Sequence, residues 1–431
     1  MKKTCLLLFL LLHIAAAVGA QTLQSSPTTY QAYFQEIEAA TQEYRQLWGR
    51  DLYSSILLVD PQTRYTIANE ADTAGVLRKA GDVFAGYLPP QVNLANTALR
   101  WGGKHWAMLL LPLPEDRHER VSLLAHELFH KAQPSLGFAL YNPENKHLDQ
   151  KKGRIYLRLE LEALKKAVQA SSEDERKALL THALTFRKYR HQLYPGADST
   201  ENLLELNEGL AAYTGLVVSN RSKKEAAAHF VSTINAFLSD PTFVRSFAYQ
   251  TTPIYGYLLR DKQKDWNRGI AAATNLTDYF ARALQINVPR DLKSASERTA
   301  GTYGGNAIIA EETKREEEKR KLLSDYKRRF VEQPRVEIGL EEMSVSFDPR
   351  NIVPLEDLGT VYPTIRVTDN WGILTVEKGA LMSPDWKKIF LPLPTSIDED
   401  EVSGEGWTLE LNSGYRLIKE SSSGGYKLRR K

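Results

Sequence analysis

The most reactive-looking stretch of this 431-residue sequence is His126-Glu127-Leu128-Phe129-His130. On a helix, residues i and i+4 lie one turn apart on one face, so both imidazoles reach a single ion. Glu127 is turned by about 100° from His126, which keeps it off that ion but within reach of a water bound to it. Neutral imidazole is a good ligand for zinc, and catalytic zinc keeps one position open for water. The pKa of that water falls to about 7, and a neighbouring carboxylate takes its proton as it attacks a carbonyl. Residue types and spacing therefore predict one zinc ion on His126 and His130, with Glu127 as general base. The surroundings agree. Val121, Leu124 and Leu128 give the helix an apolar face, and an apolar run at 107–113 precedes it as an edge strand would.

A catalytic zinc takes a third protein ligand. The best candidate is Glu208, in Leu204-Glu-Leu-Asn-Glu-Gly-Leu-Ala-Ala-Tyr-Thr-Gly215, whose small residues Gly209, Ala211 and Ala212 permit close approach to a neighbouring helix. Glu205, one turn earlier and facing the same side, is the alternative, either as ligand or as a carboxylate orienting a ligand histidine. His-Glu-x-x-His followed by a helix carrying Asn-Glu-Gly-x-Ala resembles the gluzincins, the zinc peptidase clan that includes thermolysin and aminopeptidase N. The resemblance covers 91–284 loosely and two short segments well. It implies a zincin-like catalytic domain, ligands His126, His130 and Glu208, Glu127 as general base, and a peptide or protein substrate.

It also implies a downstream group that stabilises the oxyanion. Tyr249, Tyr255 and Tyr257 are the candidates, and Tyr255 is preferred, as a phenol at a helix start marked by Pro253 and next to Gly256. Three departures are visible. Ala212 stands where thermolysin-like enzymes carry an acid four residues after the ligand glutamate. Gly103-Lys104-His105-Trp106-Ala107-Met108 lacks the glutamate with which the clan's aminopeptidases hold a substrate amino group. The 77 residues from 131 to 207 imply a long insertion, expected to be helical at 151–190.

Two other readings fit the same residues. One is a secreted binding or adhesion protein with a structural or vestigial zinc site, closed by a fourth ligand such as His105 or Glu205. The other is a zinc amidase acting on cell-wall material, with Tyr362, Trp371, Trp386 and Trp407 lining a carbohydrate surface.

The elements that must position these groups follow from pattern. A basic start, an apolar run at 6–18 and a small-residue ending predict a signal peptide at 1–20, so export to the outside or the periplasm without stable membrane insertion. The only cysteine, Cys5, falls inside it, leaving histidine and carboxylate as metal ligands. The formal net charge is +3, and +1 without Lys2 and Lys3, which gives no electrostatic case for nucleic acid. An amphipathic helix is expected at 30–48, strands at 55–59 and 65–68, and a helix at 76–87. From 151 to 284 almost everything has helical period. A charged helical linker follows at 301–335, its run of Lys, Arg and Glu reading as a solvated face. Residues 336–431 alternate at strand length and predict a β-sandwich or barrel, with Asn412-Ser413-Gly414 as a hairpin turn. The expected fold class is α+β: a catalytic domain at 21–300, with a small mixed sheet and many helices, then the C-terminal all-β domain.

Overall fold

The computed structural model describes residues 27–347, 352–421 and 424–431; the expected signal segment and Cys5 lie outside them. The chain divides into two compact units, Met1–Ile309 and Ala310–Lys431. The first is helical around one sheet and the second is built on strands, so the class is α+β.

In the first unit, α1 (Pro27–Glu43) precedes β1 (Ile56–Val59), β2 (Tyr65–Ala68), β3 (Arg78–Ala80), β4 (Val83–Tyr87), β5 (Thr97–Trp101) and β6 (Lys104–Leu110). The sheet order is β3-β4-β2-β1-β6-β5, with β1 and β6 parallel. Side chains alternate faces along these two central strands. Ile56, Leu58, Ala107 and Leu109 enter the main core, while Leu57, Val59, Trp106 and Met108 fill a smaller one. Burial on both faces explains why both strands read as unbroken apolar runs.

Two expectations fail here. Residues 76–87 form the β3–β4 hairpin, not a helix. Ala80 pairs with Val83 across the two-residue turn Gly81-Asp82, and that turn chemistry outweighs the helical spacing of the apolar residues. The apolar run before the histidine helix is β6, which is interior; the free edge belongs to β5.

The helices then follow: α2 (Arg117–Ala132), α3 (Lys151–Gln169), α4 (Glu173–Leu193), α5 (Ala197–Leu204), a π turn (Glu205–Gly209), α6 (Leu210–Val218), α7 (Lys223–Phe237), α8 (Ala248–Arg260), α9 (Leu276–Ala283), α10 (Leu292–Ala300) and α11 (Gly305–Lys327). The expected insertion at 151–190 is the pair α3 and α4. None of the described helices is long and apolar enough to cross a membrane.

α2 starts where Asp116 accepts a hydrogen bond from the Glu119 amide at 2.9 Å. Its face of Val121, Leu124, Ala125, Leu128 and Phe129 is buried in the main core. α6 lies directly against it: a Cβ on Gly215 would come within 2.4 Å of the Ser122 carbonyl oxygen. Gly209 serves a different neighbour, since its Cβ would meet the Thr252 hydroxyl of α8 at 2.3 Å. The small residues of this segment thus seat it between α2 and α8.

In the second unit, β7 (Arg335–Gly339), β8 (Ser344–Phe347), β9 (Val353–Pro354), β10 (Thr360–Tyr362), β11 (Ile365–Asp369), β12 (Gly372–Val376), β13 (Ala380–Met382), β14 (Lys388–Pro392), β15 (Pro394–Ile397), β16 (Glu401–Gly404), β17 (Trp407–Leu411), β18 (Tyr415–Lys419) and β19 (Tyr426–Arg430) make two sheets. Their orders are β18-β19-β7-β14-β13-β10-β9 and β15-β16-β17-β12-β11-β8. Val336, Ile338, Ile389 and Leu391 of one meet Val367, Leu374, Val402 and Leu409 of the other in a shared core, which makes a sandwich. The Asn412-Ser413-Gly414 turn does not close a hairpin. β17 already has β12 and β16 on its two sides, so the chain crosses to the other sheet and β18 pairs with β19. Tyr326 at the end of α11 and Phe330 just beyond it pack on Leu355, Val361 and Leu381, so the end of the charged segment belongs to this unit. Tyr362, Trp371 and Trp407 are core residues; of the four aromatics considered for a carbohydrate surface, only Trp386 is exposed.

Candidate metal centre

α2 and the π turn bring together one atom each from His126, His130 and Glu208, all within 4.8 Å of one another. The two Nε2 atoms are 2.9 Å apart. Glu208 Oε2 lies 3.2 Å from His130 Nε2 and 3.5 Å from His126 Nε2. The three groups named from the sequence therefore form a candidate metal site.

Each is held from behind. The side-chain amide of Asn207 donates to Glu208 Oε1 at 3.3 Å and to Asn142 Oδ1 at 2.6 Å, leaving Oε2 for the histidines. Gln133 Oε1 lies 2.6 Å from His130 Nδ1, and its Nε2 donates to the carbonyls of Leu206 and Asn207 at 3.3 and 2.9 Å. Burial holds His126 below the ordinary histidine range. It would raise Glu208, but the two imidazoles and the Tyr249 hydroxyl beside it outweigh burial and hold the carboxyl well below the usual range.

Glu127 is 4% exposed, and burial pushes its carboxyl up to about 7. Its Oε2 is buried with no hydrogen-bond partner among the described residues. An orphaned acceptor of this kind marks a place for a missing group. His126 and Glu127 face a cleft of about 510 Å³, shared with Asn96, Leu123, Ala212, Leu216, Phe230 and Tyr249. The absent acid at position 212 thus leaves open space in the cleft that His126 lines.

The structure separates the two glutamates that the sequence placed on one face. The π turn carries an extra residue, which swings Glu205 away from Glu208. Glu205 is gripped by Arg187 through two hydrogen bonds of 2.8 and 3.0 Å and by the Thr251 hydroxyl. It is neither a ligand nor an outer partner of a ligand. His105 sits on β6 opposite Arg100 and is not among the clustered donors.

The preferred tyrosine is also displaced. Helix α8 starts at Ala248, not at Pro253, which puts Tyr249 in its first turn. The Tyr249 hydroxyl donates to Glu208 Oε2 at 2.5 Å, and its ring stacks on His126 with centroids 5.6 Å apart. Burial and the Glu208 charge push its phenol up. Six residues on, the helical period turns Tyr255 by about 240°. Tyr255 is fully buried, donates to Glu160 at 3.1 Å and stacks on Phe280. Tyr257 packs on Phe230. Tyr255 is therefore corrected to a core residue, and Tyr249 occupies the position beside the triad.

Sequence reasoning missed Gln133, Asn207 and Arg187. Gln133 lies three residues after His130, one turn on, and Asn207 directly precedes the third candidate ligand; position alone was the signal for both. Comparison with protein-family models, with curated proteins and with solved structures finds no match to the chain.

Proposed function

We propose that this chain is a zinc-dependent hydrolase that cleaves peptide bonds, exported by its N-terminal segment. The observation that carries the proposal is a set of three converging donors, one of which, His126, lines a cleft together with Glu127, whose buried carboxylate has an unpartnered oxygen. The donor set suits zinc. Two imidazole nitrogens and one carboxylate oxygen make the three-ligand set of catalytic sites, and bonds of about 2.0–2.1 Å in a tetrahedron require ligand atoms about 3.3 Å apart. The separations here are 2.9, 3.2 and 3.5 Å.

Bound zinc supplies a water whose pKa is lowered to about 7 and a positive charge near the substrate carbonyl. The rest of the chemistry belongs to the chain. Glu127 takes the proton from the attacking water on its free oxygen and returns it to the leaving nitrogen. The Tyr249 hydroxyl, already aimed at the triad, donates to the carbonyl oxygen as negative charge develops there. Leu123, Leu216 and Phe230 give the cleft an apolar wall that keeps bulk water from the reacting carbonyl. A closed structural site would need a fourth protein donor. Neither Glu205 nor His105 supplies one.

The test is Glu127→Gln, assayed on unfolded casein with zinc content measured in parallel. Loss of the base lowers kcat/KM by about 10²–10⁴-fold while zinc stays bound. Undiminished cleavage by the variant rules Glu127 out of the chemistry.

A further inference from the structure

Gln133 is fully buried, and both ends of its side-chain amide are spoken for. Its Nε2 faces two backbone carbonyls, those of Leu206 and Asn207, which only accept. The nitrogen must therefore face them, and the oxygen must face His130. An amide oxygen only accepts, so His130 Nδ1 carries the proton at the 2.6 Å contact. In a neutral imidazole that leaves the lone pair on Nε2, the atom aimed at His126 and Glu208.

The amide also spans two elements. It is anchored just beyond the end of α2, three residues after His130, and it grips the backbone of the π turn immediately before Glu208. One side chain thus fixes the tautomer of one candidate ligand and the distance to the segment that carries another. We propose that Gln133 is the positioning residue of the metal centre, holding His130 and the Glu208 segment in binding geometry before any ion arrives. This rests on the metal-site reading above. It explains how the chain manages without an acid at position 212: the outer partner comes from the end of the histidine helix itself.

Two substitutions separate orientation from packing. Gln133→Leu keeps the volume and removes both hydrogen-bonding ends. Gln133→Glu keeps an acceptor for Nδ1 but sets a carboxylate oxygen against the carbonyls of Leu206 and Asn207. Zn²⁺ affinity is measured on the full chain by competition with a chelating indicator, with thermal unfolding of the metal-free protein alongside. The leucine variant binds Zn²⁺ about 10–100-fold more weakly, the usual cost of losing an outer partner of a ligand histidine. The glutamate variant recovers at least tenfold of that loss relative to leucine, although its apo form melts below wild type. A purely structural residue would lose affinity and stability together.

The proposal is overturned if the leucine variant binds within twofold of wild type, or if the glutamate variant binds as weakly as the leucine one. No substrate enters this measurement, so an inactive chain that still binds Zn²⁺ sinks the hydrolase reading alone. A wild-type chain that binds no Zn²⁺ sinks both.

Discussion

Glu205 and Glu208 lie three residues apart in one π turn, both buried, yet they belong to opposite kinds of site. Glu205 faces backward into a network in which Arg187 also binds Glu160 at 2.7 Å, and Arg190 joins Glu160 to Glu201 at 2.8 and 2.7 Å. His147 and His191 complete Glu201, and Thr251 completes Glu205. All five charged side chains are at most 1% exposed. Glu208 faces forward, onto two imidazoles and a phenol, and two of these neighbours, His126 and Tyr249, line the cleft. Behind the turn every charge is answered by another. In front of it, an acceptor of Glu127 is left over. Buried polar groups that are fully satisfied hold a fold rigid, and those that are not mark where a ligand belongs.

Substituting the two glutamates tests the contrast directly. Glu208→Gln leaves the backward network untouched, so the protein folds and melts close to wild type. Its Zn²⁺ affinity falls by more than the roughly 10–100-fold expected for losing an outer partner, and hydrolysis falls with it. Glu205→Gln does the reverse. One zinc per chain remains bound, while stability drops by about 3 kcal/mol, because Arg187 keeps only one of its two carboxylates. Metal analysis and denaturant titration of both variants read this out. If Glu205→Gln releases the zinc at unchanged stability, the division into a forward and a backward face is wrong.

The forward face was largely legible in the sequence and the backward face was not. Helical period puts His126 and His130 on one side, and local spacing survives folding because it belongs to a single element. Glu208 was found by its Asn-Glu-Gly-x-Ala setting, a local signal again. What failed depended on where helices begin and how they turn. Reading α8 from Pro253 made Tyr255 the first-turn phenol, whereas its start at Ala248 gives that role to Tyr249. Treating 205–209 as ordinary helix put both glutamates on one face, and nothing in those five residues announces a π turn. Nothing in the sequence of α4 marks Arg187 and Arg190 as buried. Their burial is set by partners on α3, α5 and the π turn, up to 30 residues away, which no pattern within α4 encodes. The same held in the sandwich: the Asn412-Ser413-Gly414 turn was recognised, but β17 had no free side to receive the next strand.

The two tyrosines sharpen the comparison on a smaller scale. Tyr249→Phe removes one donor to the developing oxyanion and lowers kcat by about 10²-fold, with KM little changed. Tyr255→Phe removes a donor from Glu160, which Arg187 and Arg190 still hold, and costs about 1 kcal/mol of stability with kcat unchanged. Steady-state kinetics on both variants decide the matter. A slow Tyr255→Phe with an unimpaired Tyr249→Phe restores the order expected from sequence.

Acid titration of wild type against Glu201→Gln probes the backward network. Arg190, His191 and His147 face Glu201, and although burial would raise its carboxyl, they hold it well below the usual carboxylate range. The unfolded chain therefore takes up this proton at a higher pH than the folded one. The stabilisation is complete above about pH 4.5 and is lost as pH falls from there toward the folded pKa. For this one group the slope is about 1.4 kcal/mol per pH unit. Glu201→Gln starts less stable at pH 7 but lacks that proton uptake, so its stability declines less steeply between pH 4.5 and 3. Unfolding free energies from denaturant titrations across that interval measure the difference in slope. Parallel lines for wild type and variant would mean that Glu201 gains nothing from its cationic neighbours, and the network would then be a buried cluster that the fold tolerates, not one that it uses.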